Sequence, residues 1–473
     1  MGSRVKQLVT VQQSFSINAD AELRIRMYET EEQQERIVLV AVATADEDDT
    51  LQSLDELEEL GQTAGAITVA KVIQNRERFH PGTYIGKGKI EEVRELVQRY
   101  HADTVVCDDE LSPAQFHNLQ EILDVKVIDR TVMILDIFAK RASTSEGKLQ
   151  VELAQLRYRA SHLIGGRSEL SRLGGGIGTR GPGEQKLEMD RRLIKERITL
   201  VKRELEQVQR TREITRRKRQ VNPAPVVAIV GYTNAGKSTL LNFLTGAGVL
   251  SEDQLFATLD PTTRKHVRED GEELLFTDTV GFIRKLPHHL IQAFRSTLEE
   301  AKYADVILHV VDSVNPDLDA QMYTVYDTLR RLEIGDKKVV TAFNKIDLLE
   351  SSSSGENGSA SEKDREISTD SGIDRMPVLK DLHADRTVRI SAKTGQGIEE
   401  MLNALADVLK EGQKEIEQIL DYAEGSKVGL IRKYGQVITE EYREDGIYVK
   451  ALIPQEYVYL FEKQVRQKES WED

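Results

Sequence analysis

Apolar runs alternate with helical patterns along the first part of the chain. Ile37 to Thr44 is a continuous apolar run, typical of a buried strand, and SLDELEELGQTAG after it has helical spacing that ends at glycine. ITVAKVIQ, TVVCDD and VKVIDR continue the series of strands, and TVMILDIFAKR follows the last of them as a helix. Strands that alternate with helices predict a small parallel sheet. We therefore expect an N-terminal α/β domain over residues 36–141, after a polar segment, 1–35, to which the pattern assigns no structure.

A different pattern follows, in which apolar residues recur every three or four positions. Two sets share this spacing: Leu149, Leu153, Leu156, Ala160 and Leu163, and then Leu187, Ile194, Ile198, Val201, Leu205 and Val208. Such sets predict two long helices packed along each other. The segment between them, IGGRSELSRLGGGIGTRGPGEQ, is too rich in glycine to be helical throughout. We expect an antiparallel helical hairpin with a glycine-rich tip over residues 142–220; the alternative is a plain interdomain spacer.

From Val226 to about Leu409 the alternation of strands and helices returns. ELLFTDTVG, ADVILHVVD, KKVVTAFNKID and TVRISAK are predicted strands, so a second parallel sheet is expected in a domain over residues 224–412. Residues 351–375 contain eight serines and only three apolar residues, which predicts a disordered insertion. A helix is expected from about Gly397 to Glu417, and residues 420–473 form a small α+β domain of unassigned role.

Composition limits the classes of protein that remain. A chain of 473 residues should hold about three domains, each with its own core. It has no apolar run of 18 residues and no secretory leader, so we expect a cytoplasmic protein with no membrane insertion. The single cysteine, Cys107, makes neither a disulfide framework nor a zinc site. Nothing in the sequence suggests more than a monomer.

Charge is distributed unevenly along the chain. The net charge is −15, but residues 186–219 contain 13 basic and 6 acidic residues, a local net charge of +7. A basic segment on an acidic protein predicts a localised contact with a polyanion. Arg167, Arg172 and Arg180 lie in the glycine-rich tip, where they suit contacts with RNA phosphates.

The strongest motif is GYTNAGKS, Gly231 to Ser238, between the apolar run VVAIV and the helical TLLNFLTG. Its spacing is that of a phosphate-binding loop, in which backbone N–H groups surround anionic oxygens and a helix N-terminus adds positive charge. Lys237 would contact the outer phosphates, and the Ser238 hydroxyl would bind Mg²⁺.

Four further strings follow in the order and at the strand ends that a nucleotide site requires. Asp278 in DTVG can hold Mg²⁺ through water, and the Gly281 amide can meet a terminal phosphate. Thr258 in FATLD can complete the magnesium shell when a third phosphate is present. Asp347 in NKID can accept two N–H donors from guanine, whereas adenine presents the wrong pattern. SAK, 391–393, supplies a backbone amide for the guanine oxygen.

The chain resembles a translation-factor-class GTPase in this domain, and it is similar specifically to the HflX family of ribosome-associated GTPases. The strings that carry the resemblance are GGGIGTRGPGEQKLEMDRR, IGKGKIEEV, FATLDPTTR and DTVGFI, and they extend it over roughly residues 37–409 without the serine-rich insertion. The predicted architecture is thus a P-loop GTPase domain of the α/β class, a small α/β N-terminal domain, a long helical hairpin and a small α+β C-terminal domain. The predicted GTP-binding positions are Gly231, Tyr232, Thr233, Asn234, Ala235, Gly236, Lys237, Ser238, Thr239, Phe256, Ala257, Thr258, Leu259, Asp260, Asp278, Thr279, Val280, Gly281, Asn344, Lys345, Ile346, Asp347, Ser391, Ala392 and Lys393.

The resemblance implies a factor that docks on the ribosome, with its hairpin reaching toward the peptidyl transferase centre of the large subunit. It implies splitting or rescue of stalled or hibernating ribosomes under stress, with GTP hydrolysis releasing the factor. Two alternatives stay open: an RNA-dependent nucleotidase that also consumes ATP in its N-terminal domain, and a regulatory GTPase that acts on a protein partner. GKGK, 86–89, lacks the spacing of a phosphate-binding loop, so no ATP-binding residue is assigned.

The hydrolytic machinery differs from that of the best-known small GTPases. Phe282 follows DTVG, where a water-orienting glutamine often stands, so the isolated protein should hydrolyse GTP slowly. One hypothesis is that the ribosome orders the loops around Thr258 and Gly281. The other is that Asn234, fourth in the phosphate-binding loop, binds K⁺, as in GTPases with a similar asparagine there.

Overall fold

A computed structural model describes residues 34–44, 49–163, 182–219, 224–246, 255–269, 271–287, 290, 300–353, 379–454 and 457–462. The tip arginines Arg167, Arg172 and Arg180 and most of the predicted serine-rich insertion lie outside the described residues.

The N-terminal part is a four-stranded parallel sheet in the order β2-β1-β3-β4. Its elements are β1 (Arg36–Ala43), α1 (Thr50–Ala64), β2 (Ile67–Asn75), α2 (Lys87–Tyr100), β3 (Thr104–Cys107), α3 (Pro113–Leu123), β4 (Lys126–Asp129) and α4 (Arg130–Arg141). Local sequence sets the helix ends. Gly65 ends α1 in the left-handed conformation, and Ser112 forms a capping box with Gln115 at the start of α3.

The two helices of the predicted hairpin are α5 (Ser145–His162) and α6 (Pro182–Arg219). Their seam is one apolar cluster, formed by Leu149, Leu153, Leu156, Ile198, Val201 and Leu205. Arg197 of α6 also forms an ion pair with Glu152 of α5, with 2.6 Å between Nε and Oε1. The three-and-four spacing of the apolar positions therefore does bring the two helices together.

The third part is a six-stranded sheet in the order β10-β9-β8-β5-β7-β6. Its elements are β5 (Val226–Gly231), α7 (Lys237–Thr245), β6 (Thr262–Val267), β7 (Glu273–Asp278), β8 (Val306–Asp312), α8 (Leu318–Arg331), β9 (Lys338–Asn344), α9 (Ile346–Ser353), β10 (Arg386–Arg389) and α10 (Ile398–Glu411). All neighbours run parallel except β6, which pairs antiparallel with β7 at the sheet edge. This arrangement confirms the predicted α/β fold class, and it places the carboxyl ends of β5, β7, β8, β9 and β10 at one edge.

The last part is a three-stranded antiparallel sheet, β11-β13-β12, with a helix packed against it. Its elements are β11 (Gln413–Leu420), α11 (Gly425–Tyr434), β12 (Gln436–Arg443), β13 (Gly446–Pro454) and the short α12 (Tyr459–Glu462). The expected helix to Glu417 is wrong at its end, because α10 stops at Glu411 and the next residues pair with β13. Ile416 and Leu420 are buried in the core of this sheet. Their spacing of four residues places them on one face of a helix as well as of a strand, so the pattern did not separate the two.

Apolar packing joins the N-terminal domain to the domain that contains the six-stranded sheet. One continuous cluster contains Phe138 of α4, Val151 of α5 and Phe282, which follows β7. None of the helices in the described ranges combines the length and apolarity that crossing a membrane requires.

Candidate nucleotide site and its contacts with the N-terminal domain

The phosphate-binding loop connects β5 to α7, and its two glycines stand where a side chain would not fit. A Cβ on Gly231 would lie 2.2 Å from the Val310 carbonyl oxygen. Gly236 has φ +93°, and a Cβ there would lie 2.3 Å from Nδ2 of Asn344. Glycine therefore lets β8 and the NKID segment approach the loop backbone closely.

Lys237 is buried at the first position of α7. Its Nζ donates to the Tyr232 carbonyl oxygen at 2.7 Å, a bond within the loop. Burial lowers the pKa of Lys237 to about 8, although the Asp278 carboxylate opposes this shift. The ammonium is therefore destabilised at this position until an anion approaches it.

Three side chains converge at the position predicted for the metal. The Ser238 Oγ lies 3.0 Å from the Thr258 Oγ1, and both hydroxyls donate to Asp278 Oδ2, at 3.0 and 2.9 Å respectively. Asp278 is fully buried, and burial raises its pKa. Its other oxygen, Oδ1, has no hydrogen-bond partner among the residues that the structure describes.

This set of oxygens fits Mg²⁺, which prefers hydroxyl, carboxylate and water oxygens. A cation there would compensate the buried charge of Asp278, which the hydroxyls only partly satisfy. By contrast, the described residues contain no cluster of three His, Cys, Asp or Glu side chains that could hold a metal ion. Ser238, Thr258 and Asp278 thus remain the predicted magnesium residues, and the structure places them together.

The strings predicted to recognise guanine meet at the ends of β9 and β10. The Asn344 side chain donates to the Ala235 carbonyl at 2.8 Å and accepts from the Ala392 amide at 2.9 Å, so it joins the phosphate-binding loop to SAK. The Ser391 hydroxyl donates to Asp347 Oδ1 at 2.7 Å and holds that carboxylate at the site.

Lys345 has a partner that the sequence did not reveal. Its Nζ donates to Asp312 Oδ2, at the end of β8, at 2.8 Å. Asp312 is the last residue of the predicted strand ADVILHVVD. An acidic residue at that strand end was the sequence signal that could have indicated a contact with Lys345.

The DTVG segment runs directly beside the phosphate-binding loop. The Thr233 amide donates to the Phe282 carbonyl, and the Phe282 amide donates to the Gly231 carbonyl. A Cβ on Gly281 would lie 2.8 Å from Thr233 Cγ2 and 3.0 Å from Lys237 Nζ, so glycine lets this backbone lie close to the loop and to the lysine. Phe282 itself is 2% exposed and packs in the core.

Several predicted site residues direct their side chains away from the nucleotide edge. Phe256 packs edge-on against Phe138 of α4, with ring centroids 4.6 Å apart, and Leu259 is buried in the same cluster. The Asp260 carboxylate binds the residues just before α5. The Tyr232 hydroxyl bonds Glu56 of α1. The sequence motif places these residues at the site, but it does not indicate which way their side chains face.

A buried ionic cluster connects the N-terminal domain to the segment after DTVG. Arg130, 1% exposed, donates to Glu56 Oε2 at 2.8 Å, to Asp108 Oδ1 at 3.2 Å and to the Arg284 carbonyl at 3.0 Å. The Lys285 ammonium donates to Asp108 Oδ2 at 2.8 Å. Burial would raise the pKa of Asp108, but Arg130 and Lys285 hold it below its ordinary value. These interdomain residues carry no motif, and sequence reasoning missed them.

Comparison with known families gives three matches in chain order. Residues 51–139 match "GTP-binding GTPase N-terminal", residues 141–219 match "GTP-binding GTPase Middle Region", and residues 226–345 match "50S ribosome-binding GTPase".

Individual proteins match over most of the chain. GTPase HflX of Lacrimispora saccharolytica is 60% identical over 411 residues, which cover 87% of this chain and 92% of that protein. GTPase HflX of Escherichia coli K12 is 42% identical over 363 residues, which cover 77% of this chain and 80% of that protein. A GTP-binding protein of Sulfolobus solfataricus, solved with GDP, aligns over 80% of this chain and 99% of its own at 22% identity, with a TM-score of 0.39.

Proposed function

The chain belongs to the HflX family of GTPases, and from this premise we propose that it binds the large ribosomal subunit and splits or rescues stalled or hibernating ribosomes under stress. In this proposal the hairpin reaches toward the peptidyl transferase centre, and hydrolysis of GTP to GDP and phosphate releases the factor. The match of residues 226–345 to a family described as a 50S ribosome-binding GTPase supports a ribosomal target.

The observation that carries the proposal is a basic helix attached to a nucleotide site in an acidic protein. Residues 186–219, within α6, have a net charge of +7, whereas the whole chain has −15. The cations on the exposed surface of the described part of α6 include Arg191, Arg192, Lys195, Lys202, Arg203 and Arg210. Clustered exposed cations of this kind bind RNA phosphates without reading sequence.

The site residues have distinct roles in the proposed cycle. Asp347 selects guanine, the SAK segment supplies a backbone amide for the guanine oxygen, and Lys237 contacts the outer phosphates. When bound, Mg²⁺ would be held by Ser238 and Thr258, with Asp278 acting through water, and it would neutralise phosphate charge. In this proposal the Gly281 amide would meet the third phosphate.

Hydrolysis in the free protein should be slow, because the Phe282 side chain is buried and has no polar atom to orient water. Order supplied by the ribosome to the loops around Thr258 and Gly281 would then accelerate the reaction. This timing suits a factor that must leave only after it has acted.

Co-sedimentation with purified large subunits tests the proposal, with GDP and with a non-hydrolysable GTP analogue. We expect binding that is stronger with the analogue and that weakens steeply as salt rises. A variant with Arg167, Arg172 and Arg180 changed to alanine should lose subunit binding and keep its GTP affinity. The matched control changes three cations of the C-terminal part, Arg432 of α11, Arg443 of β12 and the partly exposed Lys450 of β13, and should bind normally. Failure of the unaltered protein to sediment with subunits in either nucleotide state would refute the ribosomal role.

A further inference from the structure

The loop that carries Thr258 also forms hydrogen bonds with the base of the hairpin. Asp260, two residues after Thr258, accepts four hydrogen bonds from the two residues that precede α5. Its Oδ2 accepts from the Ser143 amide at 2.9 Å, the Ser143 hydroxyl at 2.7 Å and the Thr144 amide at 2.9 Å. Its Oδ1 accepts from the Thr144 hydroxyl at 2.5 Å.

The Thr144 hydroxyl forms two hydrogen bonds, one with Asp260 and one with the first turn of α5. Its hydroxyl oxygen also accepts from the Gly147 amide at 3.0 Å, which makes Thr144 the N-cap of α5. Residues 141–147 are where the N-terminal domain passes into the hairpin. The Asp260 carboxylate is therefore fixed to the first turn of the hairpin helix.

Gly147 gives an independent indication that this contact is specific. A Cβ at residue 147 would lie 2.4 Å from Asp260 Oδ1. Glycine is unfavourable inside a helix relative to alanine, so its presence in the first turn of α5 weakens that helix. The close approach of Asp260 accounts for a residue that the helix alone would not select.

Apolar contacts hold the other side of the same loop. Leu255, Phe256 and Leu259 are buried in the cluster that contains Phe138 and Val151 of α4 and α5. Thr258 lies between the buried residues Phe256 and Leu259, and its side chain faces the opposite side of the loop. There its hydroxyl contacts Ser238 and Asp278. The loop thus spans the gap between the hairpin base and the magnesium residues.

We propose that Ser143 and Thr144 are positioning residues for GTP binding: they hold Asp260, and Asp260 in turn holds Thr258 in place to complete the magnesium shell. The inference rests on the magnesium role proposed above for Thr258. GDP, which lacks the third phosphate, does not need Thr258, so the contact affects GTP and GDP differently. By linkage, GTP binding and the contact of Ser143 and Thr144 with Asp260 should each favour the other.

The test compares binding of fluorescent GDP and of a fluorescent non-hydrolysable GTP analogue to the full chain, titrated with Mg²⁺. In a Ser143→Ala, Thr144→Val double variant we expect unchanged GDP affinity, about tenfold weaker analogue affinity, and a higher Mg²⁺ concentration for half-saturation. Thr144→Ser keeps the hydroxyl and should bind the analogue as tightly as the unaltered protein does. Thr199→Val removes a hydroxyl elsewhere in the hairpin and should change nothing.

Gly147→Ala distinguishes positioning of Asp260 from stability of α5. If only helix stability matters, analogue affinity should stay the same or rise, whereas if positioning matters it should fall. Alanine should stabilise the start of α5, whereas its Cβ displaces Asp260 and should weaken analogue binding. Equal loss of GDP and analogue affinity in the double variant, or no loss of either, would overturn the inference.

Thr258→Ala serves as the reference variant. If it keeps the normal preference for the analogue, the magnesium role of Thr258 fails and the inference fails with it. If it loses that preference and the Ser143→Ala, Thr144→Val variant keeps it, only the coupling through Asp260 is wrong. Neither result depends on the ribosome, so the ribosomal role is tested separately by co-sedimentation.

Discussion

The Tyr232 hydroxyl, in the phosphate-binding loop, donates a hydrogen bond to the Glu56 carboxylate of α1, 176 positions earlier in the chain. The same oxygen accepts from the Arg284 amide at 2.8 Å, just beyond DTVG. Burial raises the pKa of Tyr232, and the Glu56 charge raises it further, so the phenol stays protonated and can donate. One side chain therefore connects the phosphate-binding loop, the segment after DTVG and the N-terminal domain.

Replacing Tyr232 with phenylalanine should lower the free energy of unfolding by about 1–3 kcal/mol. The substitution keeps the ring but leaves the Arg284 amide and one Glu56 oxygen without this partner. Urea unfolding monitored by circular dichroism measures the change. Tyr323→Phe, on the exposed surface of α8, is the control and should be neutral. A stability of Tyr232→Phe equal to that of the control would show that the contact contributes nothing.

Replacing Arg130 with methionine should cost more, about 3–5 kcal/mol, because it leaves Glu56 and Asp108 buried without their main cation. The matched control is Lys265→Ala, which breaks an ion pair with Glu273 whose side chains are 50% and 48% exposed. Pairs so exposed contribute about 0–1 kcal/mol. The same unfolding measurement applies to both variants. Similar losses in the two would mean that the interdomain cluster is no more important than a surface pair.

The sequence predicted the elements that have periodic patterns or local motifs. The spacing of Leu149, Leu153 and Leu156 anticipated the hairpin seam, and strand ends such as DTVG and NKID anticipated the nucleotide edge. These signals are local, since each needs only neighbours within one element.

What the sequence did not predict depends on contacts between distant segments. Nothing near Glu56 or Arg130 indicates that they meet Tyr232 and Arg284 across a domain boundary. The edge strand β6, TTRKHV, was missed because its exposed charged side chains weaken the strand pattern. For Asp260 the motif gave the position, but the orientation of its side chain follows from the packing of α4 and α5.

Nucleotide affinity should depend on pH through Lys237. In the nucleotide-free protein burial lowers its pKa to about 8, and bound phosphates must raise that pKa by favouring the ammonium. Binding therefore takes up a proton above about pH 8. Affinity should be constant below that pH and should fall up to about tenfold per pH unit above it.

Calorimetry of GDP binding near pH 9, in two buffers of different ionisation enthalpy, measures this proton uptake directly. In Lys237→Met the uptake should disappear, even where the remaining affinity is low. Identical binding enthalpies in the two buffers for the unaltered protein would contradict the predicted shift.

Replacing Asp347 with asparagine should shift base preference from guanine toward xanthine. The carboxylate accepts guanine N–H donors, and the amide offers a donor where guanine also has one, whereas xanthine has an oxygen there. Competition between GDP and XDP measures the ratio of affinities, which should change at least about tenfold. An unchanged preference for GDP would refute the assignment of Asp347.

Potassium is the last test, and it concerns how the free protein hydrolyses GTP without a water-orienting side chain at Phe282. Asn234 is exposed in the phosphate-binding loop at φ +60°, so its side chain is not committed to the core. If Asn234 binds K⁺, turnover should be faster in KCl than in NaCl of equal ionic strength, because a cation beside the phosphates stabilises developing negative charge. Asn234→Ala should then remove the difference between the salts while the rate in NaCl stays the same. Equal turnover of the unaltered protein in both salts would eliminate the potassium hypothesis and leave ordering by the ribosome as the source of acceleration.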